Sequence, residues 1–539
     1  MEPDLDRFTS RRSTVYASEG VVATSQPLAA EAGRDILRQG GNAFDAAVAT
    51  AAALNVVEPT STGLGGDVFA CYRTAGGDVG AMRACGGAPA GATRGRVRQA
   101  VADEASDPEE VEMPERGPHT VTVPGTARGW EATVERLGRL SLADALGPAI
   151  RYATEGHPVT EVVASQWRHA EDIFTDDHAR AAYLFDGHSP DVGGTVRLPE
   201  LGATMEHIAA EGADAVYEGE IGDAIAREVQ AAGGFLAVED LAGLEVEWFD
   251  PLSTTYGGVE VFELGPNNQG QIALEALNIA AEIGAGEHPY DSAERVHAFA
   301  EATKLAFHDG HHYVTDPAYE EVPPLHANSW AQRRAAEFDP DNALTDVAVG
   351  TPDAAGEDAD TVLLTVADDE GNLVSYINSR FAGFGSGLVA GDTGIALQNR
   401  GASFSLDPAD PNRLEPGKRP FHTLVPALAR FDEADWLAFG VMGGYMQPQG
   451  HLQVLANVVD YDMPLQAALD APRWRYRADG TLAIEERLPA GIAPKLARKG
   501  HDVRVEPASA FGGAEAVRDD DGTLSGATEP RKDGQVAGL

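Results

Sequence analysis

Two hydroxyl side chains stand where strand chemistry would bring them together. Thr361-Val-Leu-Leu-Thr-Val-Ala367 and Leu373-Val-Ser-Tyr-Ile-Asn-Ser379 flank Asp368-Asp-Glu-Gly-Asn372. This is the pattern of a hairpin with a five-residue loop. Pairing symmetric about Glu370 puts Thr361 opposite Ser379 at the open end, and a one-residue slip would separate them. A threonine hydroxyl attacks a carbonyl carbon only when a base takes its proton. By type alone, Thr361 reads as an ordinary strand residue at a loop edge.

Three other groupings invite chemistry. Gly443-Gly444 follows a strand-like run, 436–441, and by itself reads as a tight turn. Thr62-Gly63-Leu64-Gly65-Gly66-Asp67 is glycine-rich like a phosphate loop. It follows a helix and precedes a strand, the reverse of the phosphate-loop order, so it too reads as a turn. His308, His311 and His312 share one face at a predicted helix end, with Asp309 beside them. Two histidines so spaced can hold zinc. The chain has no His-Glu-x-x-His pattern and no evident third ligand, so histidines capping a helix end or facing solvent are the stronger reading.

The elements that must position these groups alternate between helix and strand. Residues 27–39 read as a helix with Pro27 at its start and Gly40-Gly41 at its stop. Asn42 can cap a second helix, 43–56, which is apolar all round and therefore buried between layers. A strand follows at 68–72. Residues 141–243 are mostly helical in pattern, 256–264 alternate like a strand, and 271–283 and 292–308 read as helices. Residues 338–360, rich in Asp, Ala, Gly and Pro, read as a long exposed loop, and a loop of that length inside a compact chain is usually functional or disordered. With no clear linker or repeat, one large unit fits better than two domains.

Composition limits the partners. The 539 residues are 43% hydrophobic, enough for a large core, and carry a formal net charge of −45 from 85 acidic and 40 basic residues. The only lysines are Lys304, Lys418, Lys495, Lys499 and Lys532. Such a chain suggests a salt-rich cytoplasm, where its self-repulsion is screened. The same charge disfavours nucleic acid and anionic membrane surfaces as partners. Cys71 and Cys85 allow at most one disulfide. The polar stretch 1–20 has no apolar run of signal-peptide length, and no segment has the length of a membrane span, so a cytoplasmic location is expected.

A set of ordered motifs from Tyr16 to about Tyr476 resembles the gamma-glutamyltransferase family. They include Gln39-Gly-Gly-Asn-Ala-Phe-Asp-Ala-Ala47, Glu58-Pro-Thr-Ser-Thr-Gly-Leu-Gly-Gly66 and Val123-Pro-Gly-Thr-Ala-Arg-Gly-Trp130. They continue with Ala232-Gly-Gly-Phe-Leu236, Pro266-Asn-Asn-Gln-Gly270, Gly371-Asn372, Gly383-Phe-Gly-Ser-Gly387, Gly394 to Asn399, Pro416-Gly-Lys-Arg-Pro420 and Gly443-Gly444. Each fragment is weak alone, and their order over this span is what carries the resemblance.

The resemblance implies an α+β fold, the four-layer αββα sandwich of N-terminal-nucleophile hydrolases, with two stacked sheets between helical layers. It implies self-cleavage between Asp360 and Thr361. The precursor would yield a large piece, 1–360, and a small piece, 361–539, interleaved as a heterodimer, with a higher oligomer left open. Thr361 would then carry both a hydroxyl and a free α-amine to serve as its base. Ser379 matches a family threonine that orients the nucleophile, and the N–H groups of Gly443 and Gly444 match an oxyanion hole. The expected substrate is a small amide, with no cofactor and no metal. Rival readings are a metal-dependent hydrolase and a relative that keeps the scaffold without the chemistry.

The resemblance breaks at the substrate. Phe381 stands where the family has an asparagine, Arg400 and Ser403 where it has a glutamine and an aspartate, and His422 and Thr423 where it has two serines. Cys85 or a neighbour replaces an arginine, for which Arg83 is a nearby substitute, and Val362 and Leu363 replace a small residue and a histidine. Losing an acidic partner for a substrate ammonium and gaining Arg400 favours an anionic acyl group. The expected acyl half is then γ-glutamyl or a related dicarboxylic group, glutaryl-like or oxamate-like, passed to water or to an amine.

Overall fold

The structure is a computed structural model that describes residues 12–104, 111–345 and 361–539. Asp360 and most of the expected 338–360 loop lie outside the described residues.

The hairpin forms in the expected register. Val362–Asp368 pairs antiparallel with Leu373–Ser379, from Val362 opposite Asn378 to Ala367 opposite Leu373. Its strands alternate between two cores, as a buried strand must. Val362, Leu364 and Val366 join one apolar cluster, and Leu363 and Ala367 another.

Those clusters define the layers. One seven-stranded sheet runs through Gln535–Gly538, Gly20–Thr24, Val362–Asp368, Leu373–Ser379, Asp67–Arg73, Val79–Ala84 and Glu247–Phe249. The other runs through Val15–Ala17, Thr523–Ala527, Gly513–Asp520, Asp435–Met442, Ala427–Arg430, Val259–Glu263 and Leu252–Tyr256. Leu363, Phe69 and Ile377 of the first sheet meet Leu428, Ala438 and Val517 of the second in the core between them. The outer face of the first sheet packs on helices that include Pro27–Arg38, Ala43–Val57 and Leu142–Glu155. The outer face of the second packs on Gly270–Glu282, Ala293–Tyr313 and Met446–Val459. The result is the expected four-layer αββα sandwich. Both sheets interleave strands from before and after Thr361, so neither part of the chain owns a sheet.

Local signals account for the helices nearest the site. Asn42 Oδ1 accepts from the N–H of Phe44 and Asp45, and Asp45 returns the bond to the Asn42 N–H at 2.9 Å. All of Ala43–Val57 is buried, as an all-apolar helix requires.

Some boundaries differ. The single strand expected over 256–264 is two, Leu252–Tyr256 and Val259–Glu263, turned at Gly257-Gly258. The helix expected to end at 308 runs from Ala293 to Tyr313, capped by Ser292, so His308, His311 and His312 all lie on its last turns. Both cysteines are buried and free. Among the described residues no helix is long and apolar enough to cross a membrane.

Candidate active site

The open end of the hairpin is a buried polar junction. Thr361 and Ser379 are buried, and Thr361 Oγ1 donates to Ser379 Oγ at 3.4 Å. Across the next strand pair Ser379 faces Asp67. The glycine run before Asp67 makes this close approach possible, because a Cβ on Gly66 would lie 2.3 Å from the Ser379 carbonyl oxygen. The run is thus a packing turn, as its sequence order indicated.

Arg400 gathers the other expected residues. It sits in the short 3₁₀ turn Arg400–Ser403, fully buried. Its guanidinium donates to Thr423 Oγ1 at 2.8 Å and to Ser379 Oγ at 3.4 Å, and lies 4.5 Å from the Phe381 ring centre. Phe381 adopts a φ of +83°, a strained conformation for a side chain of this size, and its N–H donates to Ser379 Oγ at 2.9 Å. Thr361, Ser379, Phe381, Arg400 and Thr423 therefore form one connected set. Ser403 stands apart: its carbonyl accepts from Asn412, and its buried hydroxyl has no protein partner among the described residues.

His422 turns away from this set toward Asp67. Its Nδ1 accepts from the Leu424 N–H at 3.2 Å, so its Nε2 carries the proton and donates to Asp67 Oδ2 at 3.0 Å. Burial, helped by Arg400, Arg83 and Arg419, holds the imidazole well below its usual pKa, so this is a neutral hydrogen bond rather than an ion pair. Burial also pushes Asp67 up to about 7, against the pull of Arg400, Gln398 and the Gly125 N–H. Burial lowers Arg400 to about 10, which leaves it cationic at neutral pH. Arg83 is committed elsewhere: Glu247, the Pro266 carbonyl at 2.7 Å and Asn267 at 3.0 Å take its donors.

The Asp67 shift has a stability consequence whose sign is fixed. A carboxyl raised from 3.8 to about 7 on folding binds its proton more tightly in the native state. Its contribution is at its best below the unfolded value, declines as pH rises from about 4 to about 7, and is constant above. Asp67→Asn removes the titration. Its stability relative to wild type is therefore expected to increase across that window and then level off in urea unfolding at fixed salt. A difference that stays flat from pH 4 to 8 would contradict the raised value.

Gly443 and Gly444 adopt φ of +113° and +57°, which favour glycine. They follow Asp435–Met442 and are separated by Tyr445 from the helix Met446–Val459, whose N-terminal end favours negative charge. Gln269 Nε2 bridges the Thr423 carbonyl at 2.6 Å and the Gly444 carbonyl at 2.9 Å, fixing this turn to the Arg400 set. Among the described residues no acceptor takes the N–H of either glycine. Under the strand leading to them, His451 accepts the Val441 N–H at 3.1 Å and hydrogen-bonds Glu263 at 2.7 Å, both side chains fully buried.

Sequence reasoning did not single out Asp67, Gln269, Gln398, His451 or Glu263. Gln398 donates to Asp67 Oδ1 at 3.2 Å. These residues matter through contacts distant in sequence; Asp67, Gln269 and Gln398 lay inside quoted motifs, whereas His451 and Glu263 lay in none.

The histidine trio does not assemble a metal site. His311 instead packs its ring on Tyr445 and Phe421. Among the described residues, the one group with metal-ligand spacing is His297, Glu301 and His501. There His297 Nδ1 and His501 Nε2 are 2.8 Å apart, a hydrogen bond, and Lys304 Nζ lies 2.6 Å from Glu301 Oε1. The ammonium already supplies the cation beside that carboxylate.

Two stacked antiparallel sheets between helical layers, shared with a solved acylase of the same architecture, place the chain among the N-terminal-nucleophile amidohydrolases. The chain belongs to the gamma-glutamyltranspeptidase family, whose model, "Gamma-glutamyltranspeptidase", matches residues 29–539. It is 36% identical to the glutathione hydrolase-like YwrD proenzyme of Bacillus subtilis, over 98% of this chain and 99% of that protein. It is 35% identical to the oxamate amidohydrolase proenzyme of Klebsiella pneumoniae, again over 98% and 99%. The crystal structure of cephalosporin acylase from Bacillus halodurans superposes with a TM-score of 0.90 at 43% identity, covering 100% of this chain and 99% of that one. The protein is an enzyme of this amidohydrolase family.

Proposed function

We propose that this enzyme cleaves its own chain before Thr361 and then hydrolyses amides whose acyl half is a short dicarboxylate, through an acyl-Thr361 ester. Self-cleavage at Asp360–Thr361 frees the Thr361 α-amine, whose pKa near neutrality suits it to take the hydroxyl proton. Thr361 Oγ1, oriented by Ser379, attacks the amide carbonyl. The N–H groups of Gly443 and Gly444 stabilise the oxyanion. The amine leaves with a proton, and water or a second amine takes the acyl group. The two pieces remain a heterodimer because their strands are interleaved. The acidic composition fits a salt-rich cytoplasm as the working compartment.

The observation that carries the acyl assignment is the place of Arg400. Thr361 Oγ1 to Ser379 Oγ and Ser379 Oγ to Arg400 Nη2 are both 3.4 Å, so the guanidinium is at most two such steps from the nucleophile. An acyl chain lying along that path brings a terminal carboxylate onto a buried, cationic fork. The span suits acyl groups from oxamate-like to glutaryl-like. A γ-glutamyl group carries an ammonium as well, and the carboxyl group that faces Ser379, Asp67, is occupied by His422, Gln398 and Gly125.

The test is a panel of 4-nitroanilides on the purified enzyme at one salt concentration. Oxalyl, succinyl or glutaryl anilide is expected to exceed γ-glutamyl anilide by at least about tenfold in kcat/KM. Equal turnover of γ-glutamyl and dicarboxylic anilides would refute the altered preference.

A further inference from the structure

The strand that leads to the glycine pair ends on a side chain. In the second sheet Asp435–Met442 runs between Ala427–Arg430 and Gly513–Asp520. The first neighbour stops at Ala427, opposite Phe439, while the second continues to Gly513, opposite Met442. Just past Phe439, His451 Nε2 accepts the Val441 N–H at 3.1 Å. A ring nitrogen that accepts from a backbone N–H carries no proton, so the proton of His451 is on Nδ1 and is donated to Glu263 Oε1 at 2.7 Å. Both side chains are fully buried, and Glu263 Oε2 has no partner among the described residues. For stability alone an apolar pair of similar volume often does as well. What the pair adds is a fixed place for one backbone N–H.

That N–H belongs to a short stretch held on every side. Ser375, on the hairpin of Thr361, donates its hydroxyl to the Phe439 carbonyl at 2.9 Å. A Cβ on Gly440 would lie 2.9 Å from Leu363 Cδ2, so the strand packs directly on the residue two places after Thr361. A Cβ on Gly450 would lie 2.5 Å from Val441 Cγ1, so the helix Met446–Val459 sits down on Val441 and brings its next residue, His451, within reach of the N–H. Two residues beyond Val441 the chain turns at Gly443 and Gly444.

We propose that Glu263 and His451 are positioning residues for this turn. The carboxyl group fixes the ring, the ring fixes the Val441 N–H, and the strand end so held aims the Gly443 and Gly444 N–H groups. The inference rests on the reading that those groups stabilise the oxyanion. The pair then acts on the tetrahedral state and not on the bound amide, whose proposed partner, Arg400, is held separately by Thr423 and Ser379. An interaction made only in the transition state lowers kcat and leaves KM when it is lost.

His451→Met and His451→Gln separate this role from simple packing. Methionine fills the space without an acceptor for the N–H, and glutamine offers a side-chain oxygen in its place. Both are assayed at one salt concentration on the anilide that wild type cleaves fastest, with rates taken per self-cleaved chain counted by intact mass. His451→Met is expected to lose about 30- to 100-fold in kcat with KM within about twofold of wild type, and His451→Gln to regain at least about tenfold. Glu263→Leu should show the same split more weakly, and Glu263→Gln, which still accepts from Nδ1, should not. Equilibrium binding gives a second readout. When Thr361 Oγ1 adds to a boronate its proton passes to the α-amine, and the tetrahedral boron carries a hydroxyl in the oxyanion's place. 4-Boronobutanoate is compared with glutarate, and 2-amino-4-boronobutanoate with glutamate, so the result does not hang on acyl preference. In His451→Met the lead of each boronate over its acid should shrink by about the factor lost in kcat. If wild type shows that lead and His451→Met keeps both it and kcat within about twofold, this proposal is overturned and the oxyanion reading stands. Acid binding and KM that decline as far as boronate binding and kcat would overturn it as well, because the pair would then support the whole site. No boronate lead in wild type refutes the oxyanion reading itself, and this proposal with it.

Discussion

Thr361→Ala is expected to remain a single 539-residue chain and to lose amide hydrolysis by roughly 10⁴-fold or more, while wild type resolves into pieces 1–360 and 361–539 by intact mass. In the proposed mechanism one oxygen performs both reactions, so one substitution is expected to abolish both. In the proposed precursor step Thr361 Oγ1 attacks the preceding carbonyl and the peptide C–N bond breaks, which frees the α-amine that serves as base in later turnovers, and hydrolysis of the resulting ester then frees the hydroxyl. Alanine removes the attacking atom and, by leaving the chain uncut, also withholds the α-amine. Fold loss is not the expected cause. Thr361 lies just beyond the paired strand Val362–Asp368, and the hydrogen bond it loses, to Ser379, is a long one at 3.4 Å. Thermal unfolding of the variant should therefore stay close to wild type. Ser379→Ala is expected to have a smaller effect, since it removes an orienting contact and keeps the nucleophile. A variant at Thr361 that still splits, or an uncut wild-type chain that still hydrolyses amides, would end the assignment. The measurement belongs in high salt, where a chain of net charge −45 is screened.

The hairpin was legible because its information is local. Alternation, turn residues and symmetry about Glu370 set the register, and the structure pairs Val362 with Asn378 accordingly. The Asn42 cap was legible for the same reason: its partners are two and three residues away. The layered sandwich came from ordered motifs, since no local signal says which strands stack. Where contacts are distant in sequence, the reading stopped. Asp67 faces Ser379 only because two strands more than three hundred residues apart are neighbours. Arg400 could equally have been a surface residue, and nothing in its flanking sequence announces full burial. Arg83 was a reasonable substitute for the missing arginine until Glu247 and the 266–267 segment were seen to hold it. Ser403 followed from position in a motif, and the structure leaves it outside the connected set.

Arg400→Gln carries the second large effect, and it is an effect on choice of substrate. The substitution restores the residue type that the family resemblance leads one to expect there. It removes a buried fork that donates to Thr423 and Ser379, and with it the proposed partner of the acyl carboxylate. A hydrogen bond to a charged group contributes roughly 1.5–3 kcal/mol, so kcat/KM for oxalyl or glutaryl anilides should fall by roughly 10- to 150-fold. An uncharged acyl anilide of similar length should change far less. Asp67 gives the loss a further signature. Arg400 is the largest influence holding its carboxyl down against burial, so without the guanidinium Asp67 moves further above about 7. The variant then keeps Asp67 protonated at neutral pH, and any limb near pH 7 in the wild-type rate profile should shift to higher pH. Arg400→Lys separates charge from geometry: it retains a cation but loses the planar fork, and should fall between wild type and the glutamine variant. If dicarboxylic and uncharged anilides decline together in Arg400→Gln, the residue supports the hairpin end and the Phe381 ring without reading the substrate, and the acyl pocket must be sought elsewhere.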